Sequence, residues 1–148
     1  MQVIIFMGIQ ATGKSTFYKE NFFFSHVRIS LDLFNSRIRE SKFIETCFYT
    51  KSQFVVDNTN TLLKERAEYI GKAKEHNYKI TGYYFSSKLE DALERNRQRK
   101  KELRIPEKGI RAFHNRLVLP SFEEGFDELN YVKIKDGKFV VDHWKEEG

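Results

Sequence analysis

The sequence predicts an α/β fold in which helices cover both faces of a mostly parallel sheet. Short apolar segments rich in β-branched and aromatic residues alternate with segments of helical periodicity. This alternation is typical of strand-helix-strand units, whose strands run parallel. Near the end of the chain, the dipeptide Asp136-Gly137 separates two further apolar segments and predicts a β-hairpin. At 148 residues, the chain has the length expected of a single domain, residues 1–148.

The first strand and helix enclose the most specific motif in the chain. Residues 2–7 are apolar and predict a buried strand, and a helix can begin at Lys14. Between them, residues 8–15 read G-I-Q-A-T-G-K-S and match the pattern G-x-x-x-x-G-K-[ST] at every fixed position. In this pattern, glycines let backbone N–H groups converge on one anion, and the helix N-terminus adds unpaired donors. The stretch therefore predicts a cradle for the phosphates of ATP.

The side chains of this cradle predict ATP and Mg²⁺ as cofactors. Lys14 would reach the β- and γ-phosphates, and the Ser15 hydroxyl would be a ligand of Mg²⁺. The residues expected to hold the nucleotide are Gly8, Gln10, Ala11, Thr12, Gly13, Lys14, Ser15 and Thr16.

Asp32 follows the second predicted strand, residues 27–30, and precedes a helix that begins over residues 33–40 and whose end the sequence leaves open. At the carboxyl end of a parallel strand, its carboxylate would lie on the same sheet edge as Lys14. There it could take the proton of a hydroxyl that attacks the γ-phosphate. The alternative is that Asp32 caps the helix, and the two roles are compatible.

Asp57 ends the third predicted strand, residues 53–56, in the sequence F-V-V-D. An aspartate in that position is typical of a Walker-B residue near Mg²⁺, and it would share the metal with Ser15. The alternative is an ordinary turn aspartate. The segment Asn58-Thr59-Asn60 adds three hydrogen-bonding side chains in one loop, which either bind a ligand or only shape the turn.

Signals for helix and strand ends place the remaining elements. Serines precede one predicted helix as caps, and prolines mark the start and end of another. In chain order, the predicted elements are a helix over 62–75, a strand over 78–85, a helix over 88–99 capped by Ser86-Ser87, a helix over 107–118 that begins after Pro106, a turn or short helix over 121–128, and hairpin strands over 131–135 and 138–141.

A basic run lies where the predicted helix 88–99 passes into the loop before Pro106. Its members are Arg95, Arg97, Arg99, Lys100, Lys101 and Arg104. In small kinases, such a segment is a lid whose arginines close over the transferring phosphate, whereas the alternative is a solvated helix face. Arg95 and Arg99 share a face and Arg97 points elsewhere, so only one or two of them can touch one ligand.

The composition sets limits on compartment and partners. The net charge of +5, with an isoelectric point near 9.2, permits a polyanionic partner without requiring one. No apolar run approaches the roughly 20 residues of a membrane span, so no membrane partner is expected. The single cysteine, Cys47, excludes an internal disulfide and favours a reducing, cytoplasmic location.

With these motifs, the chain resembles the polynucleotide 5′-hydroxyl kinase family, the kinase domain of phage and eukaryotic end-healing enzymes. The first motif is common to all P-loop proteins, whereas D-N-T-N followed by an arginine-containing helix is far more specific. The segments that carry the resemblance are G-I-Q-A-T-G-K-S-T-F at 8–17, Asp32, V-D-N-T-N at 56–60, K-E-R-A-E-Y at 64–69, R-N-R-Q-R at 95–99 and P-S-F-E-E-G-F at 120–126. The resemblance implies a P-loop kinase fold with an arginine-rich lid and a C-terminal β-hairpin.

The resemblance also implies roles for individual residues. Asp32 would be the general base, with Lys14 and Arg99 as further catalytic residues, and one or more of the lid arginines at 95, 97 and 99 would bind the phosphates. In phage and bacterial enzymes, an arginine three positions after the aspartate holds the acceptor's phosphate. Here that position is Asn35, with Arg37 and Arg39 just beyond. The residues implied to line the acceptor site are Asp32, Asn35, Asn58, Thr59 and Asn60.

Three functions are compatible with the sequence. The first is ATP- and Mg²⁺-dependent phosphorylation of the 5′-hydroxyl end of DNA or RNA. The second is a small-molecule kinase that acts on a nucleoside, a sugar or a nucleotide-sugar. The third is an ATP-regulated binding module without transferase activity. No phosphatase-type D-x-D-x-T motif is present, so an end-healing enzyme of this kind would do only the kinase step, and any phosphatase or ligase would be a separate partner.

Overall fold

Six strands form one sheet in the computed structural model, which describes residues 1–145 of the chain. They are β1 (Gln2–Met7), β2 (Val27–Ile29), β3 (Phe54–Val56), β4 (Lys79–Phe85), β5 (Glu128–Lys135) and β6 (Lys138–His143). Their order across the sheet is β2-β3-β1-β4-β5-β6, and every neighbouring pair is parallel except β5 and β6. The predicted mostly parallel sheet is therefore confirmed.

Helices pack on both faces of this sheet. They are α1 (Lys14–Asn21), α2 (Leu31–Phe34), α3 (Arg37–Thr50), α4 (Leu63–Glu75), α5 (Leu89–Arg97) and α6 (Glu107–Arg116), with 3₁₀ turns at Lys101–Leu103 and Phe122–Glu124. In the described part of the chain, no helix is both long enough and apolar enough to span a bilayer.

Strand β1 lies at the centre of the fold because it is apolar on both sides. Successive side chains of a strand point to opposite faces. Val3, Ile5 and Met7 pack with residues of α3 and α4, whereas Ile4 and Phe6 pack with residues of α1. All five are fully buried. This double burial fixes β1, and with it the start of the phosphate loop, between two layers of helix.

The structure corrects the helix expected to begin over residues 33–40. The chain forms two helices there, α2 and α3, separated by Asn35 and Ser36. Asn35 adopts a left-handed conformation (φ 62°) and its N–H bonds to the Leu31 carbonyl, which ends α2. Ser36 then caps α3, because its hydroxyl accepts the N–H of Arg39. The break places α2 alone, directly beside the carboxyl end of β2.

A second correction concerns the predicted cap Ser86-Ser87. Lys88, rather than a serine, stands at the N-cap of α5, and its side chain makes no cap bond. The Ser87 hydroxyl instead donates to the Phe85 carbonyl at 2.8 Å and accepts the N–H of Ile9 at 3.1 Å. Ser87 therefore joins the end of β4 to the phosphate loop. The helices predicted to end at 99 and 118 end at Arg97 and Arg116.

The C-terminal hairpin forms as predicted and packs against the phosphate loop. Asp136 (φ 53°) and Gly137 (φ 74°) both have positive φ, as a two-residue type I′ turn requires. The ring of Phe139 in β6 lies so close to Gly13 that a Cβ on this glycine would be 2.8 Å from it. Phe139 also contacts the Phe17 ring of α1 edge to face. The hairpin thus supports the loop from one side.

Candidate active site

The loop between β1 and α1 has the backbone of a phosphate cradle. Gly8 (φ 150°), Ala11 (φ 62°) and Gly13 (φ 93°) all have positive φ, which bends the chain tightly around the N-terminus of α1. The Gly8 N–H donates to the Thr59 carbonyl at 2.9 Å. A Cβ on Gly8 would lie 3.0 Å from the Phe85 carbonyl oxygen, so both the conformation and the space favour glycine. The loop is therefore anchored to the ends of β3 and β4.

Lys14 points its ammonium group into this loop. Nζ donates to two loop carbonyls, those of Gly8 and Ile9, at 2.9 and 2.7 Å. The pKa of Lys14 is lowered from 10.5 to about 8, chiefly by burial; the Asp57 carboxylate opposes this shift, the Arg99 charge adds to it, and Asp32 opposes it more weakly. A buried ammonium group needs a compensating negative charge, and the phosphates of a nucleotide would supply it.

Ser15 and Asp57 form the candidate metal site. The Ser15 hydroxyl donates to Oδ2 of Asp57 at 3.0 Å. Hydroxyl and carboxylate oxygens are ligands that Mg²⁺ accepts, and Mg²⁺ in such sites takes only one or two protein oxygens beside water and substrate phosphates. Within residues 1–145, no group of three or more His, Cys, Asp or Glu side chains is placed to hold a metal ion. These two residues therefore fit an Mg²⁺–ATP complex.

Arg28 contacts both of these candidate ligands, although no sequence motif indicated it. Its Nε donates to the same Asp57 oxygen at 2.8 Å, and Nη2 donates to the Ser15 hydroxyl at 3.1 Å. Arg28 lies on β2, the strand next to β3, so the contact depends on strand pairing between segments far apart in the chain. Sequence inspection offers no signal for it.

Asp32 lies in the first turn of α2 and faces the same cavity as Lys14 and Arg99. The cap of this helix is Ser30, whose hydroxyl accepts the Asp32 N–H at 3.2 Å, so Asp32 is not the N-cap residue. No group in the described part of the chain donates a hydrogen bond to the Asp32 carboxylate. The carboxylate is therefore open to accept a proton from a bound hydroxyl.

Most of the predicted site residues line one cavity of about 350 Å³. It brings together the phosphate loop, the candidate base, the candidate metal ligand and one lid arginine. The wall also contains three apolar residues, Leu31, Ile105 and Phe113, which belong to no motif and were not predicted. The lining consists of Gln10, Ala11, Thr12, Gly13, Lys14, Ser15, Thr16, Leu31, Asp32, Asp57, Asn58, Thr59, Arg99, Ile105 and Phe113.

The three arginines of the predicted lid occupy different positions. Arg99 lines the cavity. Arg95 lies at the outer side of the loop, with Nη1 3.5 Å from the Ala11 carbonyl oxygen. Arg97 points away and pairs with Glu107, Nε to Oε1, at 2.9 Å. In this structure, therefore, Arg99 is the lid arginine placed to meet a transferring phosphate.

Asn58 lines the cavity, but its amide is engaged within the protein. Its Oδ1 accepts the Leu31 N–H at 2.9 Å, and its Nδ2 donates to the buried Glu40 at 2.9 Å. Glu40 also accepts the hydroxyl of Tyr69 at 2.7 Å. This network fixes the first residue of α2, the neighbour of Asp32, relative to the end of β3. Asn58 thus positions the candidate base whether or not it touches a substrate.

The other three predicted acceptor residues differ in their position relative to the cavity. Thr59 lines the cavity, and its carbonyl accepts the Gly8 N–H. Asn60 is buried and donates from Nδ2 to the Phe6 carbonyl at 2.7 Å, which holds the loop against β1. Asn35 ends α2 and is outside the cavity lining. The structure therefore brings only Thr59 of these three to the cavity wall.

A fully buried arginine supports the loop after β3. Arg66 of α4 donates to both carboxylate oxygens of Glu124, at 2.7 and 3.1 Å. It also donates to the carbonyls of Asn60, at 3.1 Å, and Val118, at 2.8 Å. Arg66 and Glu124 lie in two of the segments that carry the family resemblance, but neither had a predicted role. Their contact joins α4 to the turn before β5.

The fold and this cavity define a nucleotide-binding protein of the P-loop kinase fold. A phosphate loop follows β1, and carboxylates follow β2 and β3 at the same sheet edge. The chain belongs to the AAA domain family, whose model matches residues 34–120, more than half of its length. The matched region begins after the phosphate loop and contains Asp57, Arg66 and Arg99.

Individual relatives agree with this class. The bifunctional polynucleotide phosphatase/kinase of Schizosaccharomyces pombe is 25% identical over an alignment of 147 residues that covers 97% of this chain and 36% of that protein. The chain thus spans about a third of that relative's length. Kti12 of Chaetomium thermophilum, solved in complex with ADP-AlF3, has a TM-score of 0.65 at 15% identity over 90% of both chains. A gluconokinase from Sinorhizobium meliloti 1021 has a TM-score of 0.58 at 15% identity over 89% of this chain and 82% of its own. The two structures are similar in fold.

Proposed function

We propose that the protein is an ATP- and Mg²⁺-dependent kinase that phosphorylates the 5′-hydroxyl end of a polynucleotide, either DNA or RNA. The observation that carries the kinase activity is the single cavity shared by Asp32, Lys14 and Arg99. Phosphoryl transfer needs a group that takes the proton of the nucleophile and cations that neutralise the phosphates. An open carboxylate beside a buried ammonium and a guanidinium supplies both.

Each residue then has one task in the reaction. The acceptor hydroxyl gives its proton to Asp32 while its oxygen attacks the γ-phosphorus, and the bond between this phosphorus and the β-γ bridging oxygen breaks. Lys14 and Arg99 neutralise the phosphate oxygens, and the loop N–H groups orient them. Ser15 and Asp57 would hold Mg²⁺, which neutralises phosphate charge when bound. The products are ADP and a phosphorylated acceptor.

The polynucleotide acceptor rests on a different set of observations. The relative that spans nearly the whole chain is a polynucleotide phosphatase/kinase. The net charge of +5 suits a polyanion. We further propose that any phosphatase or ligase activity comes from a separate partner and that the kinase acts in the cytoplasm.

A small-molecule acceptor is the second candidate, because the same fold occurs in a gluconokinase. Fold does not separate the two, since specificity resides in the acceptor site. The third candidate is an ATP-regulated module without transferase activity. It is less favoured because it gives the Asp32 carboxylate no chemical role.

An acceptor panel tests the proposal directly. The purified protein is incubated with γ-labelled ATP and Mg²⁺ in the presence of 5′-hydroxyl DNA, 5′-hydroxyl RNA, nucleosides or sugars. Oligonucleotides that already carry a 5′-phosphate are the matched controls. We expect label on the 5′-hydroxyl strands alone, with a rate that falls steeply as salt rises. Transfer to a nucleoside or sugar and to no strand would instead establish the small-molecule kinase, and ATP binding without any transfer would establish the regulated module.

A further inference from the structure

The first two turns of α3 expose an unusual combination of side chains. Ile38 is 77% exposed and Phe43 is 50% exposed, and the exposed cations Arg39 and Lys42 lie between them in sequence. Helical spacing makes Ile38 a neighbour of Lys42, and Arg39 a neighbour of Phe43. We call these four residues the α3 face. Large apolar groups exposed together in this way mark interaction sites.

Phe43 forms the outer layer of an aromatic stack. Its ring lies parallel to that of Phe34 of α2, with centroids 4.1 Å apart and an angle of 5° between the planes. Phe34 packs against the core, so the inner ring is held in place. Phe43 is half exposed, and a third flat ring can extend the stack on it. Unpaired nucleobases stack on aromatic side chains in this manner.

The charge of the α3 face suits the backbone of a nucleic acid. Arg39 makes no ion pair within residues 1–145, and Lys42 pairs only with the exposed Glu45 at 3.4 Å, a contact of little energetic weight. Glu40, the acidic residue between them in sequence, is buried and bonded to Tyr69 and Asn58. The exposed cations are therefore available to phosphates.

The short helix α2 links the α3 face to the candidate active site, because Asp32 lines the cavity and Phe34 contacts Phe43. Phe34, the inner ring of the stack, lies two residues after Asp32 in the same four-residue helix. Residues two apart on a helix project in nearly opposite directions. Four residues of helix are only about 6 Å long, so a strand whose end reaches Asp32 would pass around α2 to bring a nearby nucleotide to Phe43.

We propose that the α3 face binds the acceptor strand near its reacting end, with an unpaired base stacked on Phe43 and phosphates bound by Arg39 and Lys42. This inference rests on the proposed function and specifies its substrate as a single-stranded end. Inside a duplex, both faces of every base short of the terminal pair are covered by its neighbours, whereas an unpaired base can leave the strand and stack on protein.

The test separates base stacking from a general effect on folding. Phe43→Ala is compared with the parent protein on two acceptors of equal length and charge, a 5′-hydroxyl single strand and an abasic 5′-hydroxyl strand. We expect KM for the base-containing strand to rise at least about fivefold, the lower limit for one lost stacked base, and KM for the abasic strand to stay unchanged. Tyr49→Ala is the matched control, because Tyr49 is an 89% exposed aromatic residue at the other end of the same helix. It should alter neither KM.

Other outcomes overturn the inference. An equal loss on both acceptors would assign Phe43 a structural role only, and no loss on either would remove it from the acceptor site. Phe43→Leu, which keeps the apolar contact with Phe34 but removes the flat ring, serves if the alanine variant does not fold. A dimer that dissociates in Phe43→Ala, measured by sedimentation, would show that the α3 face is covered by a second copy of the chain.

A binding measurement without ATP distinguishes failure of the proposed kinase function from failure of the proposal for the α3 face. If no strand is phosphorylated, the proposed kinase activity fails. Fluorescence anisotropy with the same two strands then still tests the α3 face alone. Tighter binding of the base-containing strand, lost in Phe43→Ala and kept in Tyr49→Ala, supports the face, and equal binding of both strands by the parent protein refutes it.

Discussion

The Ser15 hydroxyl donates a hydrogen bond of 3.0 Å to Oδ2 of Asp57. This contact joins the first turn of α1 to the end of β3, because β1 and β3 are neighbouring parallel strands whose carboxyl ends meet at one sheet edge. Two candidate oxygen ligands for Mg²⁺ are thereby adjacent. The guanidinium of Arg28 contacts the same two side chains, so a metal ion and Arg28 would compete for Asp57.

Replacing Arg28 should therefore change the Mg²⁺ requirement. We expect Arg28→Gln to lower the Mg²⁺ concentration for half-maximal transfer several-fold, because a like charge next to the metal is removed. The same variant should unfold at a lower temperature without Mg²⁺, since the buried Asp57 loses its partner, and added Mg²⁺ should restore part of this loss. Arg28→Lys keeps the charge and is the control. An unchanged or higher Mg²⁺ requirement in Arg28→Gln would contradict the competition.

ATP affinity should depend on pH through Lys14. The pKa of this buried lysine is about 8 in the ligand-free protein, and bound phosphates would raise it. Affinity is then complete below pH 8, where the ammonium is already charged. It weakens as pH rises above 8, by at most tenfold per pH unit, because binding must take up a proton. Calorimetry from pH 7 to about 9.5 measures this slope. Lys14→Arg stays charged throughout and should show no such slope, whatever its absolute affinity.

Asp32→Asn tests the general base. Asparagine has nearly the same shape but cannot accept the proton of the attacking hydroxyl. We expect kcat to fall by about 10²- to 10⁴-fold, the usual contribution of general-base catalysis, while the affinity for ATP stays the same. Asp142→Asn, at an exposed aspartate of β6, is the control and should change neither quantity. A variant Asp32→Asn with the parent's kcat would exclude Asp32 as the base.

The lid arginines should differ sharply in their effect on transfer. Arg99 lines the cavity, so Arg99→Ala should lower kcat by roughly 100-fold, as removal of a transition-state donor does elsewhere. Arg97 pairs with Glu107 outside the cavity, and Arg97→Ala should leave kcat within about twofold. Steady-state kinetics of both variants on one acceptor provide the comparison. Equal losses would mean that the lid rearranges so that both side chains reach the nucleotide.

Local sequence signals were sufficient to predict the sheet and to place the phosphate loop and Asp57 at one edge of it. The phosphate loop and Asp57 both follow apolar strands, and parallel pairing brings such strand ends together without further information. The dipeptide Asn35-Ser36 indicates a break between two helices, which the prediction missed. Asparagine readily takes a left-handed conformation, and serine is a preferred N-cap. That signal was local and could have been found.

The residues that sequence inspection missed depend on contacts between distant segments. Arg28 looks like any strand arginine until β2 pairs with β3 and places it on Asp57. Ser87 has the local signature of a cap, but its hydroxyl binds the phosphate loop 78 residues away in sequence. Arg66 lies within the apolar-periodic helix predicted over 62–75 and resembles a solvated charge, because its partner Glu124 is 58 residues further on. Tertiary contacts overrode local preference in each case.

Arg66 and Glu124 should contribute strongly to stability. The guanidinium is fully buried and donates to Glu124 and two backbone carbonyls, so its removal leaves the two carbonyls without donors and the carboxylate with only the Ser121 N–H. Breaking a buried pair by removing one partner typically costs about 3–5 kcal/mol. We expect Arg66→Met to lower the free energy of unfolding in urea by about that amount. Arg97→Ala, which breaks a half-exposed pair, should cost at most about 1 kcal/mol.

The double variant Arg66→Met/Glu124→Met shows whether the two charges act as a pair. If they do, the second substitution removes the uncompensated carboxylate, and the double variant should be more stable than the sum of the single losses predicts. Additive losses would mean that Arg66 acts mainly through the carbonyls of Asn60 and Val118. Arg66→Met should also weaken ATP binding, because Asn60 is next to Thr59, whose carbonyl accepts the Gly8 N–H of the phosphate loop. Unaltered ATP affinity in a folded Arg66→Met variant would show that the loop after β3 keeps its position without the buried arginine.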